Sequence, residues 1–232
     1  MTRDKKLSNF GMKTIAIIPA YNEERTIADV VMEVQKYVTE VVVVDDGSAD
    51  HTMEHAKRAG AIVYSHFLNR GQGAALETGK KIALLRQADV IVTYDADGQF
   101  VAEEINNVVR PVAEGRADVV LGARFMKSEI PLVKKFFLKG ATIFTRLTSG
   151  LNLSDTHNGF RAFSREAAEK ITIEQNRMAH ASEILEKIGH HCLRYEEVPV
   201  TVKYFSPQIR RGQRLPDYLK ILFDLFLGRS IK

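Results

Sequence analysis

Asp95 and Asp97, separated by one residue in the stretch DVIVTYDADGQF, directly follow an apolar run, and Gln99 stands two positions further on. Alternate residues leaving a strand end can direct two carboxylates to one point, and hard oxygen ligands of that kind suit Mg²⁺ or Mn²⁺ bridging phosphate groups. A metal so placed neutralises the charge that develops on a diphosphate leaving group. A plain turn is the other reading, because Asp and Gly are ordinary turn residues. Other polar clusters also follow apolar runs: Pro19-Ala20-Tyr21-Asn22-Glu23, Asp45-Asp46-Gly47-Ser48, Asn69-Arg70-Gly71-Gln72-Gly73, and Arg124 after VVLGA. Gly71 and Gly73 would let backbone come close to a bound nucleotide where a Cβ would obstruct. Their run GQGAA is not a dinucleotide fingerprint: it lies far from the first strand and lacks the third glycine.

These clusters need a frame. Thr14 to Ile18 reads as a β-branched strand stopped at Pro19, Glu23 to Val38 as a helix with Ile27, Val30, Val31, Val34 and Val38 on one face, and Glu40 to Val44 as a second strand. A helix capped by Ser48 or Asp50 and closed at Gly60 follows. A strand at Ala61 to Ser65, a helix at Gly73 to Arg86 and a strand at Asp89 to Tyr94 come next. The second half reads as a strand at Val119 to Gly122, a basic, largely apolar helical stretch at Ile130 to Ser149, a short strand at Arg161 to Ser164, a helix at Ser182 to Ile188 and a late strand at Val198 to Tyr204. Continuously apolar strands alternating with helices predict an α/β fold: a mostly parallel central sheet of Rossmann-like type, flanked by helices in a single domain. Ligands in such sheets lie beyond the carboxyl ends of the strands, which is where the polar clusters fall.

Composition narrows the function classes. The 232 residues include 45% hydrophobic and 27% charged residues, with 15 Gly and 6 Pro, as in an ordinary globular protein. One cysteine, Cys192, excludes an internal disulfide framework and reads as buried and inert. The polar N-terminus has no apolar signal core, and Tyr218 to Leu227 is about half the length of a spanning helix. The net charge of +4 is uneven. Residues 124 to 150 hold Arg124, Lys127, Lys134, Lys135, Lys139 and Arg146 against Glu129 alone, and residues 203 to 232 hold seven basic residues against Asp217 and Asp224. An acidic body with two basic segments points to a polyanionic partner. Phe and Leu interleave the basic residues in amphipathic order, which suits an anionic membrane surface better than nucleic acid, packing of these helices on the sheet or in a dimer interface being the other reading.

Seven ordered motifs set the chemistry in context: PAYNE, DDGS, NRGQGAA, YDAD, GAR at Gly122 to Arg124, SDTHNGFR at Ser154 to Arg161, and EVPV at Glu197 to Val200. Over about Lys13 to Arg214 the chain resembles the family 2 glycosyltransferases of the GT-A fold, within them the dolichyl-phosphate mannose or glucose synthase-like branch. The resemblance implies a GT-A domain over 13–214 with an amphipathic helical tail over 215–232. It implies a nucleotide-sugar pocket of Pro19, Ala20, Tyr21, Glu23, Asp46, Gly71, Gly73, Asp95 and Ala96, in which Tyr21 flanks the base, Glu23 accepts from ribose hydroxyls and Asp46 from a base N–H. Asp95, Asp97 and Gln99 match the metal stretch for Mg²⁺ or Mn²⁺, and Asp97, Asp155 and Arg124 the catalytic set. Arg124, Arg161, Arg210, Arg211 and Arg214 are implied to meet acceptor or donor phosphates, with Arg161 alternatively a counter-ion for Asp155. His157 and His180 sit near these motifs, and Glu183 matches a family glutamate or lies on a helix surface.

The implied activity is inverting transfer of a hexose from a GDP- or UDP-linked donor to a polyprenyl phosphate. The place would be the inner face of the cytoplasmic membrane, reached as a peripheral protein, as a homodimer or with a membrane partner protein. Transfer to a hydroxyl with Asp155 as base, and a non-catalytic nucleotide-binding scaffold, are the alternatives.

Overall fold

The computed structural model describes residues 11–124, 150–156, 158–176 and 179–203. Chain order is β1 (Thr14–Ala20), α1 (Ile27–Val34), β2 (Glu40–Asp45), α2 (Thr52–Arg58), β3 (Ile62–Ser65), α3 (Gln72–Leu85) and β4 (Val90–Thr93), then a 3₁₀ turn at Ala102–Glu104. It continues with α4 (Ile105–Ala113), β5 (Val119–Ala123), β6 (Arg161–Ser164), α5 (Arg165–Lys170), α6 (His180–His190) and β7 (Tyr195–Pro199). The seven strands form one sheet in the order β3-β2-β1-β4-β6-β5-β7. Every neighbouring pair is parallel except those of β6, which runs antiparallel to both β4 and β5.

The strands are apolar throughout because both faces of the sheet are covered, and successive residues feed opposite cores. Ile18, Val43 and Val92 pack with Ile27, Val31 and Ile105 on the face of α1 and α4. Ile15, Ile17, Val42, Val44 and Ile91 pack with Ala75, Leu76 and Ile184 on the face of α3 and α6.

Three of the boundary differences from the sequence reading have a direct physical cause or move an element along the chain. Strand β1 continues through Pro19 to Ala20. Its ladder with β4 ends at Ile17↔Thr93, so the position where Pro19 lacks an N–H faces no β4 partner, while Ala20 still pairs with Asp45 on the β2 side. Helix α1 begins only at Ile27, because residues 21 to 26 form a turn knitted to the β2 loop. The late strand lies earlier, at Tyr195–Pro199, and only Val202 continues as an isolated bridge to Phe100. Cys192 is exposed in the turn after α6, with φ 50°, and not buried as its residue type suggests.

The longest described helix lies unusually close to the sheet. A Cβ added to Gly79 of α3 would collide with Ile17 Cγ2 and come within 3.3 Å of Val44 Cγ2. Gly79→Ala is therefore expected to lift α3 from β1 and lower the unfolding free energy by about 1–3 kcal/mol, read as a shift of the urea midpoint.

Candidate active site

Strands β1 and β4 are adjacent, yet the chain goes from β1 to β2 toward one edge of the sheet and from β4 to β5 toward the other, so the crevice beyond their carboxyl ends is the topological switch point. Four loops meet there. Pairing of Ala20 with Asp45 brings the first two side by side. Asn22, at φ 54°, donates its amide to Ser48 Oγ at 2.9 Å and accepts from the Ala49 amide through Oδ1 at 2.9 Å. The Glu23 amide reaches Thr52 Oγ1 at 2.7 Å, and the Thr26 hydroxyl donates to Glu23 Oε2 at 3.0 Å. Pro19 and Ala20 are buried at the base of this turn, while Tyr21 is 47% exposed at its rim.

The YDADGQF loop is held from below. The Tyr94 hydroxyl donates to the Phe100 carbonyl at 2.8 Å, and the rings of Tyr94, Phe100 and Phe160 pack with centroids 5.2–5.5 Å apart. Gly98 adopts φ 72°, the left-handed conformation that closes the turn. Asp97 Oδ1 accepts the Gln99 amide at 3.0 Å, and the Gln99 carbonyl accepts from the Lys203 amide at 2.8 Å. These contacts engage the Gln99 backbone. Asp95 accepts from Gln72 Nε2 at 3.1 Å, a partner the sequence did not single out because a glutamine in a first helical turn has no motif signature.

Strand β6 supplies the other wall. Because it runs against β4 and β5, with Arg161 opposite Thr93 on one side and Leu121 on the other, the residues that precede it cross the carboxyl ends of both neighbours. Gly159 there lies so close to Asp95 that a Cβ would fall 2.9 Å from both carboxylate oxygens. Asp155, with a fully buried side chain, takes the Arg124 amide at 3.1 Å, Nε at 2.7 Å and Nη2 at 2.9 Å. Glu197 accepts the Ser154 and Asp155 amides and fixes the turn. Arg161 is buried beneath the loop and donates from Nε to the Asn158 carbonyl at 2.9 Å, so its use is internal. The Asn158 Oδ1 accepts the Phe160 amide, while its buried Nδ2 has no hydrogen-bond partner among the described residues.

Charge in this pocket is strongly displaced from its ordinary state. Burial, then the neighbouring Asp97, pushes the Asp95 carboxyl up to about 7, against the opposing pull of Arg161 and Arg124. Burial also raises Asp97. Burial lowers Arg161 to about 10, with Asp155 and Asp95 acting to retain its proton. Two carboxylates held close in a dry place are an incomplete ligand set. Among the described residues no group of three or more His, Cys, Asp or Glu could hold a metal ion. That pattern fits Mg²⁺ or Mn²⁺, which take one or two protein carboxylates and fill the remaining positions with phosphate oxygens and water.

The other candidate residues have distinct surroundings. Gly71 has φ 95° at the start of α3, but the missing side chain of Gly73 makes room for the protein itself, since a Cβ would collide with the Gln175 carbonyl. Glu183 is buried, not on a helix surface. It accepts the Glu174 and Gln175 amides and so seats that carbonyl against α3. Asp46, implied as a base acceptor, receives the Arg70 amide at 3.0 Å, the Gly71 amide at 2.6 Å and His66 Nδ1 at 2.7 Å. Ala96 is buried within the DAD turn, and His180 is buried at the start of α6. His157, Arg210, Arg211, Arg214, the basic stretch 130–149 and the tail 215–232 lie outside the described residues. Among the described residues no helix is long and apolar enough to cross a membrane.

Comparisons with known proteins agree with this geometry. Residues 15–172 match the family described as Glycosyl transferase family 2. An uncharacterized protein of Methanocaldococcus jannaschii is 40% identical over 220 residues, covering 92% of this chain and 90% of its own. The UDP-N-acetylglucosamine–dolichyl-phosphate N-acetylglucosaminyltransferase of Methanococcus voltae is 32% identical over 235 residues, covering 91% and 94%. In fold, the chain is similar to glucosyl-3-phosphoglycerate synthase of Mycobacterium tuberculosis, solved with Mg²⁺ and uridine diphosphate. The TM-score is 0.73 at 20% identity, with 96% of this chain and 81% of that one covered.

In the metal-free chain Asp95 keeps its proton up to about 7 when folded but releases it near 3.8 when unfolded, so the folded state binds more protons in between and loses stability as pH rises. Urea unfolding in a chelator should therefore show stability falling from about pH 4 to about pH 7, with a shallower slope in Asp95→Asn.

Proposed function

The chain belongs to glycosyl transferase family 2, and from that membership we propose that it moves a hexose, with inversion at the anomeric carbon, from a nucleoside diphosphate sugar to a polyprenyl phosphate. The observation that carries the acceptor class is the state of Asp155. Its carboxylate takes three donors from Arg124 and has a fully buried side chain, so it is spent as an anchor and is poorly placed to remove a proton. A hydroxyl acceptor needs such a base, whereas a phosphate monoester arrives with an anionic oxygen near neutral pH. The dolichyl-phosphate acceptor and UDP-linked donor in the name of the Methanococcus voltae relative support the same reading.

In this mechanism the acceptor phosphate oxygen forms the new bond to the anomeric carbon. The bond from that carbon to the diphosphate oxygen breaks, its electron pair leaves with the nucleoside diphosphate, and no proton needs to move. Asp95 and Asp97 would hold Mg²⁺ or Mn²⁺, which supplies neutralisation of the departing diphosphate. The Tyr21 rim and the Asn22–Glu23 turn bind the nucleoside side, and Arg124, oriented by Asp155, faces the negative charge shared by acceptor and leaving group. Positioning and charge complementarity supply most of the acceleration. The lipid acceptor places the reaction at a membrane surface, which the basic amphipathic segments read from the sequence would approach.

Transfer assayed with UDP- and GDP-linked hexoses and Mn²⁺ should be detected on a short-chain polyprenyl phosphate and not on the corresponding polyprenol. Asp97→Ala should lower turnover by about 10²–10³-fold with the fold intact by circular dichroism. Equal transfer to the alcohol would overturn the acceptor assignment, and undiminished turnover in the variant would overturn the metal site.

A further inference from the structure

Of the histidines without a recognisable sequence pattern, His66 stands out in the structure. Its side chain is 9% exposed, immediately after β3, and its backbone amide continues the strand ladder by donating to the Asp45 carbonyl at 2.9 Å. Nδ1 lies 2.7 Å from Asp46 Oδ1, and Nε2 lies 2.9 Å from Thr78 Oγ1, in the second turn of α3. A carboxylate only accepts, so Nδ1 carries the hydrogen; in the neutral ring Nε2 then accepts the Thr78 hydroxyl proton.

The same Asp46 carboxylate takes the Arg70 and Gly71 amides, which fills three of its roughly four acceptor positions. Gly71 opens α3, and the next residue, Gln72, is the one that donates to Asp95. The loop from 66 to 71 is also seated against the DDGS turn, where a Cβ on Gly47 would fall 2.9 Å from the Asn69 nitrogen. One imidazole therefore ties α3 down twice, through Asp46 at its first turn and through Thr78 further along.

We propose that His66 is a positioning residue of the donor pocket: braced between Asp46 and Thr78, it holds Asp46 on the Arg70 and Gly71 amides and so sets the opening of α3 from which Gln72 meets Asp95. This gives Asp46 a bracing part in the donor pocket in addition to the base contact implied for it. The donor-binding consequence rests on the proposed glycosyl transfer, whereas the bracing of the loop does not.

Two measurements on the full chain separate the levels. Amide hydrogen exchange should show Arg70 and Gly71 losing protection in His66→Ala, with part of it recovered in His66→Asn, whose side-chain amide can replace Nδ1 toward Asp46. In steady-state assays with Mn²⁺, His66→Ala should raise the donor KM by about tenfold while kcat at saturating donor falls by less, as expected when a buried hydrogen bond to a charged group is lost. Thr78→Val, which removes only the second arm, should show a smaller rise. Unchanged Gly71 protection in His66→Ala overturns the bracing. Protection lost without a change in donor KM, or His66→Asn no better than His66→Ala, overturns the positioning role. A wild-type chain that transfers no sugar counts against the proposed function, and the exchange result then still decides the bracing.

Discussion

Asp95 is held at the end of β4 where burial and Asp97 both oppose its ionisation, and Arg161 and Arg124 are the nearby counter-charges. Most of the surrounding structure can be understood as a response to that one awkward carboxylate. Arg161 is buried on β6 at the register where it lies opposite Thr93. Gly159 is a glycine because any side chain would strike the Asp95 oxygens. Gln72 reaches it from the first turn of α3. Desolvated like charges cost several kcal/mol unless compensated, so such a cluster is retained where a cation belongs.

The second buried carboxylate, Asp155, is handled in the opposite way. It is paired bidentately with Arg124, and the pair joins the end of β5 to the loop that enters β6. The two aspartates thus have different uses. One is kept hungry for positive charge and the other is satisfied by the protein. The proposed phosphate acceptor accords with this difference, because a carboxylate already engaged by three Arg124 donors is poorly placed to serve as a base.

Much of the frame was legible in the residues. Continuous β-branched runs such as EVVVV are buried on both faces, and helical spacing of Ile27, Val30, Val31 and Val34 marks one covered face, because burial imposes period and composition directly. Strand β6 was read at its observed bounds, Arg161 to Ser164. Errors occurred where a local signal was overruled by neighbours. Pro19 did not stop β1, since β4 had already ended beside it. Of the two readings of Glu183, the helix-surface one fails, because the Glu174 and Gln175 amides close over its carboxylate. Helix α4, Ile105–Ala113, was not anticipated, as its Pro111 masks a strongly amphipathic run.

By itself the sequence determined the α/β class, the family and the order of loops that gather at one sheet edge, because these depend on residue type and on spacing along the chain. What only the tertiary structure decided is who partners whom. That Asp155 takes three hydrogen bonds from Arg124, that Gly73 yields to the Gln175 carbonyl, and that an unremarkable His66 bridges Asp46 to Thr78 are decided by how distant segments are brought together by the sheet. Those distances join residues 12 to 102 positions apart in the chain, and nothing in local propensity encodes them.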